Sequence, residues 1–393
     1  MTVYITDVAL SCALGTERHQ VWSAARAGDQ SGMAASSDFL LEESAVFGQV
    51  VSDAPSLLTH SNFERYRCRN NEMAASLVEQ MADSIERIKT LYDSHRIGVV
   101  MATSTSGIAS GEQALRMFCH QEQFPIDYYY ETQEIGGLAD FIVRYVDISG
   151  PSMTVSTACT SGAMALSSAK RWLDLGLVDA VIAGGVDTLC QMTARGFHAL
   201  GAMSTELTNP FSANRKGLNL GEGGAIFLLT NEPADIRLMG VGASSDAHHI
   251  SAPDPSGRGA KLAIQRGLEQ AGIQASDVDY VNLHGTATEK NDLMESVAVA
   301  SILGCDVSCS SSKALTGHTL GAAGAIEAGL CWLTLAHRNE KRCIPHRFDG
   351  VLDEACSPIR LSDGQLDGPP TMCVSTSFAF GGSNTAVVMG VSA

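Results

Sequence analysis

Cys159 stands in VSTACTSGAMALSSAKRWL (155–173), His284 in VNLHGTAT (281–288), and Lys313 and His318 in SSSKALTGHTLGAAGAIEAG (310–329). A thiol is a soft nucleophile that can hold an acyl group, and an imidazole beside it can take or give a proton. A thiol at a helix N-terminus is drawn toward the thiolate by ~0.3–1 kcal/mol, up to ~2 kcal/mol when partly buried, or up to about one and a half pKa units. The small neighbours Ala158, Thr160, Ser161 and Gly162 permit a sharp turn and close substrate approach. One such cysteine, or one histidine at a strand end, is more often a packing residue. Two histidines in Gly/Thr-rich turns, with a cysteine in a third, form a constellation. STSFAFGGSNT (375–385) adds a glycine turn. There the Phe380 N–H, paired with that of Cys159, would make an oxyanion hole. Asp292 and Glu295 in EKNDLMESV form a carboxylate pair one helical turn apart, next to the His284 loop.

These residues need elements that bring them together. Short β-branched runs bounded by glycine or polar residues predict strands over 2–10, 96–103, 152–158, 179–186 and 224–230. In the second half strands are predicted over 236–245, 278–285, 306–312, 371–377 and 385–391. Helical patterns fall at 70–92, 161–176, 257–272, 292–304 and 323–339. Alternation of this kind implies a layered α/β fold, whose sites gather at the carboxyl ends of strands. The order hints at duplication. Trp172 follows Cys159 at the same spacing as Trp332 follows Thr319, which sets His318-Thr319 against Ala158-Cys159. The boundary between halves is expected near NEPAD (231–235), giving units 1–235 and 236–393. The first would carry the cysteine and the second both histidines.

Composition narrows the classes. The 393 residues are 45% hydrophobic and 18% charged, as in a globular chain, and a net charge of −17 disfavours nucleic acid as a partner. The 11 cysteines include no C-x-x-C pair and no zinc-like cluster, which points to reduced thiols and a cytoplasmic setting. The first residues, MTVYITDVAL, lack the basic start of a signal peptide, and no apolar run is long enough for a membrane span.

Taken together, the motifs resemble those of the β-ketoacyl-acyl carrier protein synthases of the thiolase superfamily. STACTSGA resembles the nucleophile elbow, HGTAT and KALTGHTLGAAG the two histidine motifs, FAFGGSN the C-terminal glycine turn, and NPFSANRKGLNLGEGGAIFLL an internal segment of that family. The resemblance implies duplicated βαβαβαββ halves in a five-layer αβαβα sandwich, usually dimeric. It implies that Cys159 is acylated and that His284 and His318 stabilise the enolate left when a malonyl-carrier-protein extender loses CO₂. Lys313 would act with Glu295, and Asp292 would brace the His284 loop. Cys159 and Phe380 would supply the oxyanion N–H groups. Thr286, Thr288, Gly381, Gly382, Leu218 and Ile108 would contact pantetheine or acyl chain. No metal and no dissociable cofactor is implied, the phosphopantetheine being supplied by the acyl carrier protein.

Within the family, the glycine turn lacks the second cysteine of thiolases, since Cys373 lies upstream on a predicted strand. Chain-length-factor relatives lack the nucleophile present here, and Cys-His-Asn starter synthases lack the second histidine motif. Leu218 replaces a pocket-gating Phe of the fatty-acid enzymes, and Glu289-Lys290 a more apolar pair. ATSTSGI (102–108), YYYETQEIGG (128–137) and SSDAHHISAPDPSG (244–257) are more similar to ketosynthases of aryl-polyene pigment clusters than to housekeeping fatty-acid enzymes. That places the chain as an elongating synthase, with fatty-acid elongation, a thiolase or a non-catalytic chain-length subunit as alternatives. The implied partners are an acyl carrier protein, docked on Arg65, Arg67 and Arg69, and either a second copy or a chain-length-factor-like paralogue.

Overall fold

The computed structural model describes residues 1–51, 58 and 61–392. Ten strands carry the architecture. β1 (Tyr4–Ser11), β2 (Ile97–Ala102), β3 (Ser152–Val155), β4 (Ala180–Asp187) and β5 (Gly223–Thr230) come first, then β6 (Ile236–Ser245), β7 (Tyr280–Leu283), β8 (Ser308–Ser311), β9 (Met372–Phe378) and β10 (Ser383–Val391). Their spatial orders are β3-β2-β4-β5-β1 and β8-β7-β9-β10-β6. Counted within each set, both read third, second, fourth, fifth, first. Strand directions repeat as well. β2 runs parallel to β3 and β4, while β5 is antiparallel to β4 and β1. β7 runs parallel to β8 and β9, while β10 is antiparallel to β9 and β6. Identical order and direction are the mark of a duplicated fold. A short pairing of β1 with β6, Tyr4 opposite Arg237 and Ile5 opposite Ile236, joins the two sets.

Side-chain alternation explains the layers. Val100 and Ala102 of β2 enter the central core, while Ile97, Val99 and Met101 enter an outer one. A strand buried on both faces reads as a continuous apolar run, which is how the sequence marks it. The central core holds two helices, α4 (Ser161–Asp174) and α7 (Ala323–Ala336), between the sheets. α1 (Arg69–Glu79), α2 (Ala82–Leu91) and α3 (Gly137–Val146) cover the first sheet, and α5 (Arg258–Ala271) and α6 (Glu289–Ile302) the second. This is the five-layer α/β sandwich implied by the resemblance. Among the described residues no helix is long and apolar enough to cross a membrane.

Two features differ from the sequence reading. The single helical run expected at 70–92 is broken at Gln80–Met81, where Met81 leaves helical geometry and is buried in the outer core. A small sheet of Met33–Ser36, Ala45–Gly48 and Leu220–Gly221 was not expected, nor were the helices Arg18–Ala27, Ile108–Gln121, Gly137–Val146 and Gln191–Ala199. The strands of that sheet are too short to show a period.

α4 and α7 approach so closely that backbone meets backbone. A Cβ on Gly162 would lie 2.5 Å from the Ala325 nitrogen. Gly162→Ala gains up to ~1 kcal/mol of helix propensity, but a neighbouring main chain cannot swing aside as a side chain can. Overpacking of this kind costs about 1–3 kcal/mol. The variant is therefore expected to unfold at lower denaturant than the parent, and an unchanged or higher midpoint would contradict the packing described.

Candidate active site

β3 ends at Val155, and α4 begins six residues later, at Ser161, with Cys159 in the turn between them. Ala158 takes a left-handed φ of 54°, a conformation that costs a non-glycine residue energy and needs support from its surroundings. The support is local. The Thr157 N–H donates to Ser161 Oγ at 2.8 Å, and the Thr160 and Ser383 hydroxyls meet at 2.9 Å, tying the elbow to the glycine turn. The turn itself uses positive φ at Gly381 (84°) and Gly382 (79°) and is pinned by Gly381 N–H to Ile250 O at 2.7 Å. The main-chain N–H groups of Phe380 and of Cys159 itself both pull the Cys159 thiol pKa down, which sets the two expected oxyanion donors beside the sulfur.

The histidines arrive from the other half. His284 follows β7, and His318 is held by its own N–H on Asn219 O at 2.7 Å and by Gly221 N–H on its carbonyl at 3.0 Å. His318 Nε2 lies 3.0 Å from Cys159 Sγ. The two rings stand edge to face, centroids 5.4 Å apart. The sulfur and one nitrogen of each ring all fall within 4.8 Å of one another, with the residues 7%, 1% and 1% exposed.

Beneath them Lys313 Nζ pairs with Glu327 and lies 3.3 Å from His284 Nδ1. An ammonium only donates, so Nδ1 accepts, and the neutral ring carries its proton on Nε2. This corrects the expected pairing of Lys313 with Glu295. Glu295 instead accepts the His284 and Gly285 N–H groups, both at 2.7 Å, and the Thr376 hydroxyl at 2.8 Å. Helical geometry is the reason. Glu295 sits on α6 under the His284 loop, whereas Glu327 on α7 faces the cation. Asp292 accepts Phe211 N–H at 2.8 Å and Ala287 N–H at 3.2 Å, and so fixes the same loop. Glu327 was missed from sequence, although it was visible there as the one charged residue of α7. A lone carboxylate in a helix buried on every side calls for a cation nearby.

Burial dominates the electrostatics. It pushes the Cys159 thiol up to about 11, against smaller downward pulls from Lys313 and the two N–H groups. Desolvation therefore outweighs the pull of the helix N-terminus toward the thiolate. Burial and Lys313 hold both imidazoles well below their ordinary range, so they are neutral at pH 7. Burial also raises Glu295 and Glu327 to about 7 and Asp292 to about 6.

A cavity of about 460 Å³ opens onto these groups. Thr286 and Thr288, hydroxyls 2.9 Å apart, line it together with Leu218, Phe378 and Phe380. Ile108 does not reach the wall. It opens the helix Ile108–Gln121. Gly381 and Gly382 are likewise off the wall, shaping the turn that presents Phe380. Cys373 belongs to β9 and the central core, away from the cavity. The three arginines do not form a free basic patch. Arg65 pairs with Glu131, Arg67 donates to Leu58 O, and Arg69 is bound to the buried Glu222 and to Val50 O. Arg65 and Glu131 form an exposed surface pair, whereas Arg67 and Arg69 give guanidinium donors to main-chain carbonyls and to buried Glu222. The basic residues that line the cavity are Arg215, Lys216 and Lys290.

With its thiol raised to about 11, Cys159 should react with iodoacetamide at a rate climbing about tenfold per pH unit between about pH 7 and 9.5. Peptide mass analysis resolves it from exposed Cys119 and Cys305. A plateau near neutral pH would show a low-pKa thiolate and refute the burial argument. Glu327→Gln leaves a buried ammonium without its counter-charge and should cost about 3–5 kcal/mol in denaturant unfolding. Lys313→Met/Glu327→Gln, which removes both charges, should recover most of that loss.

A family model described as beta-ketoacyl synthase, N-terminal domain, matches residues 64–234, and one described as beta-ketoacyl synthase, C-terminal domain, matches residues 236–345. The putative mitochondrial 3-oxoacyl-[acyl-carrier-protein] synthase of Schizosaccharomyces pombe is 34% identical over 275 residues, 63% of either chain. The 3-oxoacyl-[acyl-carrier-protein] synthase 2 of Staphylococcus aureus is 31% identical over 312 residues, 75% of this chain and 76% of that one. Among solved structures, a ketosynthase, ApeO, in complex with its chain length factor, ApeC, from Xenorhabdus doucetiae is 39% identical, with TM-score 0.95 over 100% of this chain and 98% of that one. Synthases of this kind are acyltransferases that need no cofactor beyond the phosphopantetheine of the acyl carrier protein. The paired halves, the motifs in order and these likenesses show that the chain belongs to the beta-ketoacyl synthase family.

Proposed function

We propose that this chain is an elongating β-ketoacyl-acyl carrier protein synthase that joins an acyl group on Cys159 to a malonyl-carrier-protein extender by decarboxylative Claisen condensation. The observation that carries the reading is the meeting of Cys159 Sγ with both imidazoles at the floor of one cavity.

The steps follow from the geometry. Cys159 attacks the acyl-pantetheine thioester while its proton passes to His318 Nε2, 3.0 Å away. The pantetheine sulfur leaves and takes a proton from solvent, the Cys159 proton stays on His318 Nε2, and the acyl group stays on Cys159. Burial that disfavours a free thiolate makes this coupled transfer the efficient route. The malonyl thioester then loses CO₂, and the electron pair of the broken C–C bond moves into an enolate. Its oxygen is met by the His284 Nε2–H, whose tautomer Lys313 fixes, and by a proton on His318 Nε2. The enolate carbon attacks the acyl carbonyl, and the new oxyanion is held by the N–H groups of Cys159 and Phe380, each such donor contributing about 3–4 kcal/mol. Collapse expels the Cys159 sulfur, which takes back its proton from His318 Nε2. Asp292 and Glu295 act as positioning residues for the His284 loop. Thr286 and Thr288 receive the pantetheine arm at the cavity wall.

The pathway we favour is aryl-polyene assembly, in the cytoplasm, with an acyl carrier protein and a chain-length-factor-like partner. A second copy of this chain is the alternative partner. Three sequence segments support the pathway, at 102–108, 128–137 and 244–257, as does Leu218 on the cavity wall in place of a bulkier gate. The likeness to a ketosynthase solved with its chain length factor supports the partner. Because Arg67 and Arg69 give guanidinium donors to Leu58 O and to buried Glu222, we assign carrier-protein docking to the cavity mouth, where exposed Lys216 and Lys290 add positive charge.

Intact-mass measurement after incubation with acyl-carrier protein should show one acyl adduct on the parent and none on Cys159→Ala. An adduct that survives the substitution would remove Cys159 as the nucleophile. After co-expression with candidate carrier proteins, a conjugated aryl chain on Cys159 is the expected adduct, and a saturated chain would instead mean fatty-acid elongation.

A further inference from the structure

The same three atoms that suit an acyl thioester also have the makeup of a metal site. Cys159 offers sulfur, and His284 and His318 each offer a ring nitrogen, all within 4.8 Å. One thiolate with two imidazoles is a donor set suited to Zn²⁺, and catalytic zinc sites likewise keep three protein ligands and an open fourth position. Around tetrahedral zinc, with Zn–S about 2.3 Å and Zn–N about 2.0–2.1 Å, donor atoms sit roughly 3.3–3.7 Å apart. His318 Nε2 and Cys159 Sγ are already at 3.0 Å. The 460 Å³ cavity leaves the fourth position open to water.

One residue opposes this. Lys313 Nζ donates to His284 Nδ1 at 3.3 Å, which puts the ring proton on Nε2, the nitrogen that would have to bind the metal. Ligation would move that proton to Nδ1 and set it against the ammonium, itself anchored by Glu327. We propose that Cys159, His284 and His318 form a latent Zn²⁺ site, and that Lys313 restrains metal binding by holding His284 in the wrong tautomer for a ligand. Binding forms one Zn–S and two Zn–N bonds and releases the Cys159 thiol proton to solvent. The bound form is an inhibited one, because the nucleophile and both donors are occupied. The site needs no condensation to be seen, so its test is independent of the function proposed above.

The full-length protein is titrated with Co²⁺, the spectroscopic stand-in for Zn²⁺, and the thiolate-to-cobalt absorption is followed, with Zn²⁺ added afterwards as competitor. Parent protein should bind weakly. Lys313→Met should bind at least tenfold more tightly, and Zn²⁺ should bleach its signal. Lys313→Met/Cys159→Ala should lack the thiolate band. Lys313→Met/Glu327→Gln repeats the test without a lone buried charge, should the single variant fold poorly. Equal affinity in the parent and both Lys313 variants would overturn the restraint. Absence of the band from both, or a band that outlasts loss of Cys159, would overturn the site.

Discussion

The rest of the site depends on a buried ion pair. Lys313 and Glu327 lie almost wholly out of water, 1% and 3% exposed at their side chains. Desolvating two charges is expensive, and their attraction repays it only with good geometry and further hydrogen bonds. Here the further bond goes to His284, so the pair determines which imidazole nitrogen faces the substrate. A neutral core in the same place would pack at least as well, but it would leave His284 free to take either tautomer. The pair is therefore better understood as a device for directing a proton than as a source of stability.

The duplication explains how that pair and its neighbours reach one place. Each half sends a small-residue helix into the shared middle layer. Gly162 and Gly324 let those helices touch, which brings the elbow before α4 beside the turn before α7. One half thus contributes the nucleophile, and the other both imidazoles, the cation and its carboxylate. Neither half contains the site alone. Burial follows from the same packing, and burial is what keeps the thiol protonated and the imidazoles neutral.

Much of this was legible in the sequence. All ten strands of the two repeated sets were located, because strands buried on both faces leave unbroken β-branched runs between glycines. Cys159, His284, His318 and Phe380 stood out because each sits in a turn rich in small residues, where a buried element must open toward a ligand. Glu327 was visible as the one charged residue of its helix, but its partner was not, since Lys313 lies on a different element and no sequence period links the two. Ile108 and the three arginines were placed by resemblance alone. Their surroundings depend on which loops fold back over them.

The sequence by itself determined the main strands, the helices of the central layer and of the second sheet, the duplicated fold and the chemical types at the centre, because those depend on local periodicity and on residue identity. Only the tertiary structure decided that Lys313 answers Glu327, that Glu295 serves the His284 backbone, and that Cys159 is held as a thiol. Each of those turns on distances between segments far apart in the chain and on how much water reaches them. Charge pairing and desolvation are properties of the assembled interior, and no stretch of sequence carries them alone.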